Sequence, residues 1–372
     1  MGSEYISIIV PTINESENLP LLVPRVAAVM DGRKWEMIIV DDNSRDNTAA
    51  VCADLATHYP LKLSVRKTPT HGLSGAVLHG FAQARGDVLV CMDADLQHPP
   101  EKLPELIDAV IGSDADFSLG SRHQPGGGTE QTWGLFRQLN SWVATMLAMP
   151  FSGGVKDPMS GFFALRRSTF EKAERLSPLG YKIALELMCK CRVKHVQEVP
   201  IHFGLRLRGQ SKLSLKQQFH YLQHLSRLYD FTYPRASPIL KFLLVLSAGW
   251  LVGAATCALA LSRGAGWVAS IAAGYLVNVL ITAVFHSRYI HTQREFLVSR
   301  HPWGDFVLIA VGELTAAISA AAWLIWRLPN PGFAEVFLIS FGLGTAVRYL
   351  LRKEMLQDIR GLRREIRADE LR

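Results

Sequence analysis

Two carboxylates stand two residues apart in Met92-Asp93-Ala94-Asp95, directly behind an apolar run that starts at Val88. At the end of a buried strand both side chains can reach one hard divalent cation. Mg2+ and Mn2+ take oxygen ligands and often bridge to a diphosphate. Gln97, two residues further on, can add an amide oxygen. A second acidic pair, Asp41-Asp42, closes the apolar run Met37-Ile-Ile-Val40. Carboxylates there can take ribose hydroxyls or a base, while one of the pair caps the next helix. Pro11-Thr12-Ile13-Asn14-Glu15 follows the run Ile6–Val10 and is placed for a nucleotide; Glu15 also suits the start of a helix.

The elements that must hold these loops follow from periodicity. Ile6–Val10, Met37–Val40, Leu61–Val65, Val88–Met92 and Asp116–Leu119 read as strands. Leu19, Leu22, Val23, Val26, Val29 and Met30 recur at helical spacing. Asp46-Asn47-Thr48 offers caps for a helix carrying Val51 and Leu55, and Gly72–Ala84 and Leu103–Ile111 are further helices. Continuous apolar strands alternating with helices predict an α/β fold, an open and mostly parallel sheet covered on both faces. Ligands of such sheets sit at the carboxyl ends of the strands. All three polar loops lie there. Gly126-Gly127-Gly128 and Gly153-Gly154 mark loops, the first placed where a mobile cover over a site would lie.

The chain of 372 residues divides in composition. Up to about residue 235 it is an ordinary mixed sequence; beyond Pro238 come long apolar runs separated by short basic loops. The predicted organisation is a catalytic domain over 1–212, an amphipathic region over 213–237, a membrane domain over 238–352 and a basic tail over 353–372. In the amphipathic region Leu215, Phe219, Leu222, Leu225 and Leu228 form one stripe, with Lys216, His220, His224 and Arg227 on the other side. Such a helix lies flat at the headgroup level or faces the core of the soluble domain. Four segments, Ile239–Leu261, Val268–Phe285, Phe306–Trp326 and Phe333–Leu350, approach the length that crosses a bilayer.

Arg288, Arg294 and Arg300 follow the second segment, and the basic tail is counted from Arg348 at the end of the fourth, through Arg352, Lys353 and further arginines. The positive-inside rule then sets the catalytic domain, the middle loop and the tail on the cytosolic face of the cell membrane. Glu313 inside the third segment needs a partner, for which Asn278 and His286 are candidates. The formal net charge of +7 gathers near these segments and points to lipid headgroups and phosphates. No zinc-finger spacing or dense arginine run favours nucleic acid. Five cysteines without framework spacing fit a reducing compartment, and Met1-Gly2-Ser3-Glu4 lacks the basic start of a signal peptide.

Val10-Pro-Thr-Ile-Asn-Glu15, Val40-Asp-Asp-Asn-Ser44, Asp93-Ala-Asp-Leu-Gln97 and Gly120-Ser-Arg122 resemble blocks of the inverting family 2 glycosyltransferases of GT-A fold. More narrowly, the chain looks like the dolichyl-phosphate mannose synthases and their bacterial polyprenyl-phosphate relatives. Asp157-Pro-Met-Ser-Gly-Phe162, Glu198-Val-Pro-Ile201 and Phe203-x-x-Arg206-x-x-Gly209-x-Ser211-Lys212 continue the match. The four apolar segments are similar to the GtrA-like membrane domain. The resemblance implies that Asp93, Asp95 and Gln97 hold Mg2+ or Mn2+ and the sugar diphosphate. It implies that Pro11, Thr12, Asn14, Glu15, Asp41, Asp42 and Ala94 line the nucleotide-sugar, with GDP-mannose the expected donor. Arg122, Arg137, Arg206 and Lys212 would collect the lipid phosphate, and Asp95, Arg122 and Arg206 would carry catalysis. Guanidinium forks suit phosphate oxygens.

Two departures stand out. Many relatives carry an aromatic residue where this chain has Ile13, and the Gln-x-x-Arg-Trp signature of processive relatives is absent, so a single transfer is expected. A phosphate monoester is already anionic at neutral pH and needs no dedicated base, and cations around it would orient an inverting attack. The same reaction with UDP-glucose or another nucleotide-sugar is an alternative. A nucleotide-sugar sensor coupled to a lipid-linked sugar flippase is an alternative of another class.

Overall fold

The computed structural model describes residues 4–129, 135–177, 179, 182–204, 215–285 and 302–357. The chain forms two compact units, one running to Leu228 and the other starting at Tyr229.

In the first unit the chain opens with β1 (Tyr5–Thr12), α1 (Leu19–Val29), β2 (Lys34–Asp41) and α2 (Thr48–Leu55). It continues with β3 (Leu61–Val65), α3 (Gly72–Gln83), β4 (Val88–Cys91), α4 (Leu103–Ile111) and β5 (Phe117–Ser121). Next come β6 (Gly128–Thr129), α5 (Leu135–Ala148), β7 (Phe163–Arg166), α6 (Arg167–Phe170) and α7 (Ile183–Lys190). The last elements are β8 (Val196–Pro200), β9 (His202–Phe203) and α8 (Leu215–Thr232), whose final turn lies beyond Leu228 in the second unit. The seven-stranded sheet has the order β3-β2-β1-β4-β7-β5-β8. This is the open, mostly parallel α/β sheet expected from the alternating pattern.

Ile8, Ile9 and Val10 are fully buried, as are Met37 to Val40 on β2 and Val88 to Val90 on β4. Each such side chain contributes about 2 kcal/mol of burial relative to exposure. Register puts the polar loops on one edge: Thr12 stands beside Asp41, and Ile9 beside Cys91. Two strands of this sheet were not legible as strands in the sequence. β7 enters between β4 and β5 and runs antiparallel to both; β8 closes the far edge beside β5. The run Phe163-Ala-Leu-Arg166 is too short to carry a period of its own. Tertiary pairing decides it.

The glycine run is pinned on its far side. Gly128 pairs with His202 in a short β6–β9 ladder. A Cβ on Gly127 would stand 2.7 Å from the Ser121 carbonyl oxygen, so the backbone passes there at close range.

The helix α8 corrects the stripe read from leucine spacing. Tyr221, His224, Leu225 and Leu228 are its buried side chains, while Phe219 and Leu222 are exposed. His224, expected on the basic outer side, is buried because Glu186 on α7 stands 3.2 Å from its Nε2. Lys190 donates to the other Glu186 oxygen at 2.7 Å. Burial alone would raise the Glu186 pKa, but His224 and Lys190 hold it down at about 2. A depressed carboxylate contributes stability that is complete above the unfolded pKa, about 4.3, and is lost as pH falls through the folded value. The stability gap between the wild type and Glu186→Gln should therefore narrow as pH falls from about 5 towards 2. Thermal melts across that range check it.

The second unit is helical: α9 (Ala236–Ser262), α10 (Trp267–Phe285), α11 (Pro302–Arg327) and α12 (Phe333–Gln357). Ile239–Ser262, Trp267–Val284, Phe306–Arg327 and Phe333–Leu351 are each long and apolar enough to cross a membrane. Helices α9 and α10 meet backbone to backbone, since a Cβ on Gly274 would lie 2.6 Å from the Gly253 carbonyl oxygen. Tyr275 and Phe341 rings pack at 4.8 Å.

Glu313 has partners that the sequence did not single out. Arg348 on α12 donates to it through Nε, and the Tyr275 hydroxyl stands 3.3 Å away on α10. Arg348 also donates to Thr282 at 3.0 Å and is 1% exposed. It therefore belongs inside the helix bundle and not to the basic tail. His286 lies outside the described residues.

Candidate active site

Side chains from the carboxyl ends of four strands, β1, β2, β4 and β5, form the site. At the end of β4 the chain turns through Leu96, whose φ of 61° is left-handed. The turn lets the Asp95 carboxylate accept the Gln97 N–H at 3.2 Å, which orients it locally. Asp95 and Gln97 are buried. Asp93 is about one third exposed, and Gly161 passes beside it: a Cβ there would lie 3.7 Å from a carboxylate oxygen.

The acidic turn is tied to a distant segment. Gly204 N–H donates to the Gln97 carbonyl at 3.0 Å, and the Gln97 amide nitrogen donates to the Gly204 carbonyl at 3.0 Å. With its nitrogen so committed, the amide's other end is its acceptor oxygen. His98 completes the joint. Its Nδ1 accepts the Asp93 N–H at 3.1 Å, its ring stacks on Phe162 at 5.1 Å, and Phe203 packs edge-on at 5.5 Å. Burial lowers the His98 pKa to about 4, so the ring is neutral at pH 7 with its proton on Nε2.

The first two loops interlock. Asp41, beside Thr12 in the sheet, accepts Ser44 N–H at 2.8 Å, Ser44 Oγ at 2.5 Å and Thr12 Oγ1 at 3.2 Å. Asn14, at φ 57°, donates its N–H to Ser44 Oγ and accepts the Arg45 N–H. Glu15 N–H reaches Thr48 Oγ1 at 3.3 Å, and the Glu15 carboxylate accepts from Asn18 at 2.6 Å. Asp46 ties the Ser16 N–H to Thr48. Burial opposes its ionisation, but the Thr48 and Ser16 hydrogen bonds outweigh that and lower its pKa to about 2. Asp42 is the carboxylate held by an arginine. Arg66 donates to it through Nε at 2.6 Å and Nη2 at 2.9 Å.

Arg122 leaves the end of β5 and forks onto Asp157, with Nε at 2.7 Å, Nη2 at 2.7 Å and its backbone N–H at 3.0 Å. Burial alone would raise the Asp157 pKa; the Arg122 hydrogen bonds and charge bring it below the usual value. Glu198 holds the Asp157 loop by accepting the Lys156 and Asp157 N–H groups. The Arg122 guanidinium also lies over the Phe203 ring, 5.3 Å from its centroid. Lys182 joins this cluster by donating to the Met159 carbonyl at 2.7 Å. Burial, with the Arg122 charge, lowers its pKa to about 8, against the pull of Asp157 and Asp93.

The structure thus brings Asp93, Asp95, Gln97 and Arg122 into one neighbourhood. Asp157, Lys182, His98 and Arg66 were not singled out from the sequence, although Asp157 opened a block that was. Arg206 and Lys212 lie outside the described residues. Arg137 sits on α5, and its side chain lies outside them too. Among the described residues no group of three or more His, Cys, Asp or Glu side chains is gathered for a metal.

The sequence of this site has known counterparts. The family described as Glycosyl transferase family 2 matches residues 7–173. A dolichol-phosphate mannosyltransferase from Pyrococcus furiosus is 44% identical over 250 residues, 66% of this chain and 70% of the relative. One from Saccharomyces cerevisiae is 43% identical over 244 residues, 63% of this chain and 90% of the relative. The polyprenol monophosphomannose synthase of Mycolicibacterium smegmatis is 39% identical over 216 residues, 56% of this chain and 80% of the relative. Identity at this level across most of the relatives' own length shows that the chain is a family 2 glycosyltransferase and belongs with the dolichol-phosphate mannosyltransferases.

Proposed function

We propose that the protein transfers one mannosyl residue from a nucleotide-sugar, GDP-mannose, to a membrane polyprenyl phosphate such as dolichyl phosphate. The observation that carries this reading is the Asp93–Asp95 turn standing at the same sheet edge as the two nucleotide-side loops, with Arg122 and Lys182 close by. The names of the similar proteins supply mannose and the lipid phosphate.

A divalent cation fits the donor set. Asp93, Asp95 and the Gln97 amide oxygen are hard oxygen ligands, and a cation of the Mg2+ class is commonly held by one or two carboxylates plus substrate phosphates. When bound, such an ion would stabilise the departing nucleoside diphosphate. Mg2+ and Mn2+ both suit these ligands.

The protein's own residues do the rest. Pro11, Thr12, Asn14, Glu15, Asp41, Asp42 and Ala94 form the nucleotide-sugar side. There Asp41 stiffens the loop, and Asp42 presents a carboxylate fixed by Arg66. Arg122, held on Asp157, and Lys182 place positive charge near the acidic turn. Arg137, Arg206 and Lys212 are proposed to add cations for the lipid phosphate. That phosphate carries its own nucleophilic oxygen, so the residues orient it and offset repulsion between acceptor and donor. The catalytic unit and the tail face the cytosol, and the four spans hold the protein in the membrane.

Arg66→Ala should raise KM for the nucleotide-sugar about tenfold while kcat changes little, because it loosens Asp42 without touching the acidic turn. Steady-state kinetics with varied donor check this.

The decisive test supplies the full-length enzyme with GDP-mannose, UDP-glucose and other nucleotide-sugars, a short polyprenyl phosphate and Mg2+ or Mn2+. The product is identified by mass. Polyprenyl-phosphate mannose from GDP-mannose is expected. A different sugar on the lipid overturns the donor assignment. Donor binding with no sugar transferred from any donor favours the sensor reading instead.

A further inference from the structure

The His98 ring is buried at the centre of the site, and the proposed reaction gives it no task. On one side its Nδ1 accepts the Asp93 N–H just past the end of β4, and the same nitrogen lies 3.7 Å from an Asp93 carboxylate oxygen. On the other side the ring meets Phe203 at 63°, and Phe203 in turn lies under the Arg122 guanidinium. Phe162 stacks on the His98 ring at only 15°. Phe203 is itself fixed. Thr129 stands beside it in the β6–β9 ladder, and the two hydrogen bonds between Gly204 and Gln97 hold the next residue. Packing alone does not call for histidine here. A phenylalanine would fill the space between Phe162 and Phe203 without burying a polar ring. What histidine adds is an acceptor for a backbone N–H of the acidic turn.

We propose that His98 and Phe203 are positioning residues that set the acidic turn and the Arg122 guanidinium at a fixed separation. The Nδ1 acceptor of His98 orients Asp93, which faces the donor and its cation. The His98 ring steadies Phe203, and Phe203 seats Arg122, which faces the acceptor phosphate. The two side chains do separate work: the hydrogen bond serves the donor side, and the aromatic contacts serve the acceptor side. In-line attack demands the fixed separation, since a shift of about 1 Å in a positioning group can cost a hundredfold in rate. The inference deepens the proposed transfer and rests on it for the identity of the two sides.

The test uses three variants of the full-length enzyme. His98→Phe keeps the ring and removes the acceptor. His98→Asn removes the ring and keeps an acceptor oxygen bonded to Cγ, where Nδ1 is bonded in histidine. Phe203→Leu takes away the ring beneath Arg122; Phe203 is half-buried, so this variant stands in should a His98 variant not fold. Mn2+ binding, with and without GDP, is read from the electron paramagnetic resonance of the free ion. Transfer kinetics vary the polyprenyl phosphate, and thermal melts accompany both. His98→Phe should weaken Mn2+ binding about tenfold and leave KM for the polyprenyl phosphate within about twofold. His98→Asn and Phe203→Leu should do the reverse, raising that KM about threefold with Mn2+ binding near the wild type. Parallel losses in both readouts that follow a lowered melting temperature overturn the proposal, because His98 would then be core packing alone. Wild-type values in His98→Phe and Phe203→Leu overturn it too, as does a wild type that transfers mannose and binds no Mn2+. The Mn2+ titration needs no turnover. A wild type that transfers no mannose therefore refutes the proposed reaction, while the titration still decides whether His98 orients Asp93.

Discussion

Asp95→Asn should lower sugar transfer by about a thousandfold while leaving the melting temperature unchanged. The substitution is close to isosteric. Its Oδ1 can still accept the Gln97 N–H that shapes the turn, so the local backbone has no reason to move. What is lost is a negative charge and one hard oxygen in a buried position. An amide is a far weaker partner for a divalent cation, and its nitrogen carries no usable lone pair. Transfer at saturating Mg2+ or Mn2+, set beside thermal unfolding of the same preparation, gives both numbers. Turnover close to the wild type would remove the acidic turn from the mechanism. A fall in melting temperature as large as that of a core substitution would mean that Asp95 is a folding residue.

Asp157→Ala should destabilise the catalytic unit by about 3–5 kcal/mol, the loss expected when one partner of a buried ion pair is removed. The Asp157 side chain is 1% exposed and accepts three hydrogen bonds from Arg122. Truncation strands a guanidinium that has little water to turn to; its own side chain is 14% exposed. The double variant Arg122→Met, Asp157→Leu should recover most of the stability, since apolar replacement of a buried pair is often neutral or better. It should not recover activity, because the cation assigned to the phosphates is gone. Thermal unfolding and transfer measured on the wild type, the single variant and the double variant separate the two effects. Full activity in the double variant would show that the pair only props the loop between Lys156 and Gly161.

Much of the fold was legible because its signals are local. The continuous apolar strands, the helical spacing of Leu19 to Met30 and the four long apolar segments each depend on neighbours in sequence. β7 was not legible: Phe163-Ala-Leu-Arg166 carries no period of its own and is a strand because β4 and β5 leave an antiparallel place between them. The face of α8 was misread for a similar reason. Leucine spacing alone puts Phe219 and Leu222 on one stripe with Leu225 and Leu228 and His224 on the other side, whereas the buried carboxylate of Glu186 draws His224 in beside Leu225 and Leu228 and leaves Phe219 and Leu222 exposed.

The same division runs through the site. The amino-acid sequence by itself determined the acidic turn, since two carboxylates at a strand end share one edge whatever lies around them. It determined Asp41 and Asp42 as loop residues for the same reason. Tertiary structure alone decided which charges meet: Asp42 with Arg66, Arg122 with Asp157, Glu313 with Arg348. It also decided that the turn is fastened to Gly204. Ion pairs and ladders between segments distant along the chain depend on where the sheet and bundle carry their ends, and no local pattern encodes that.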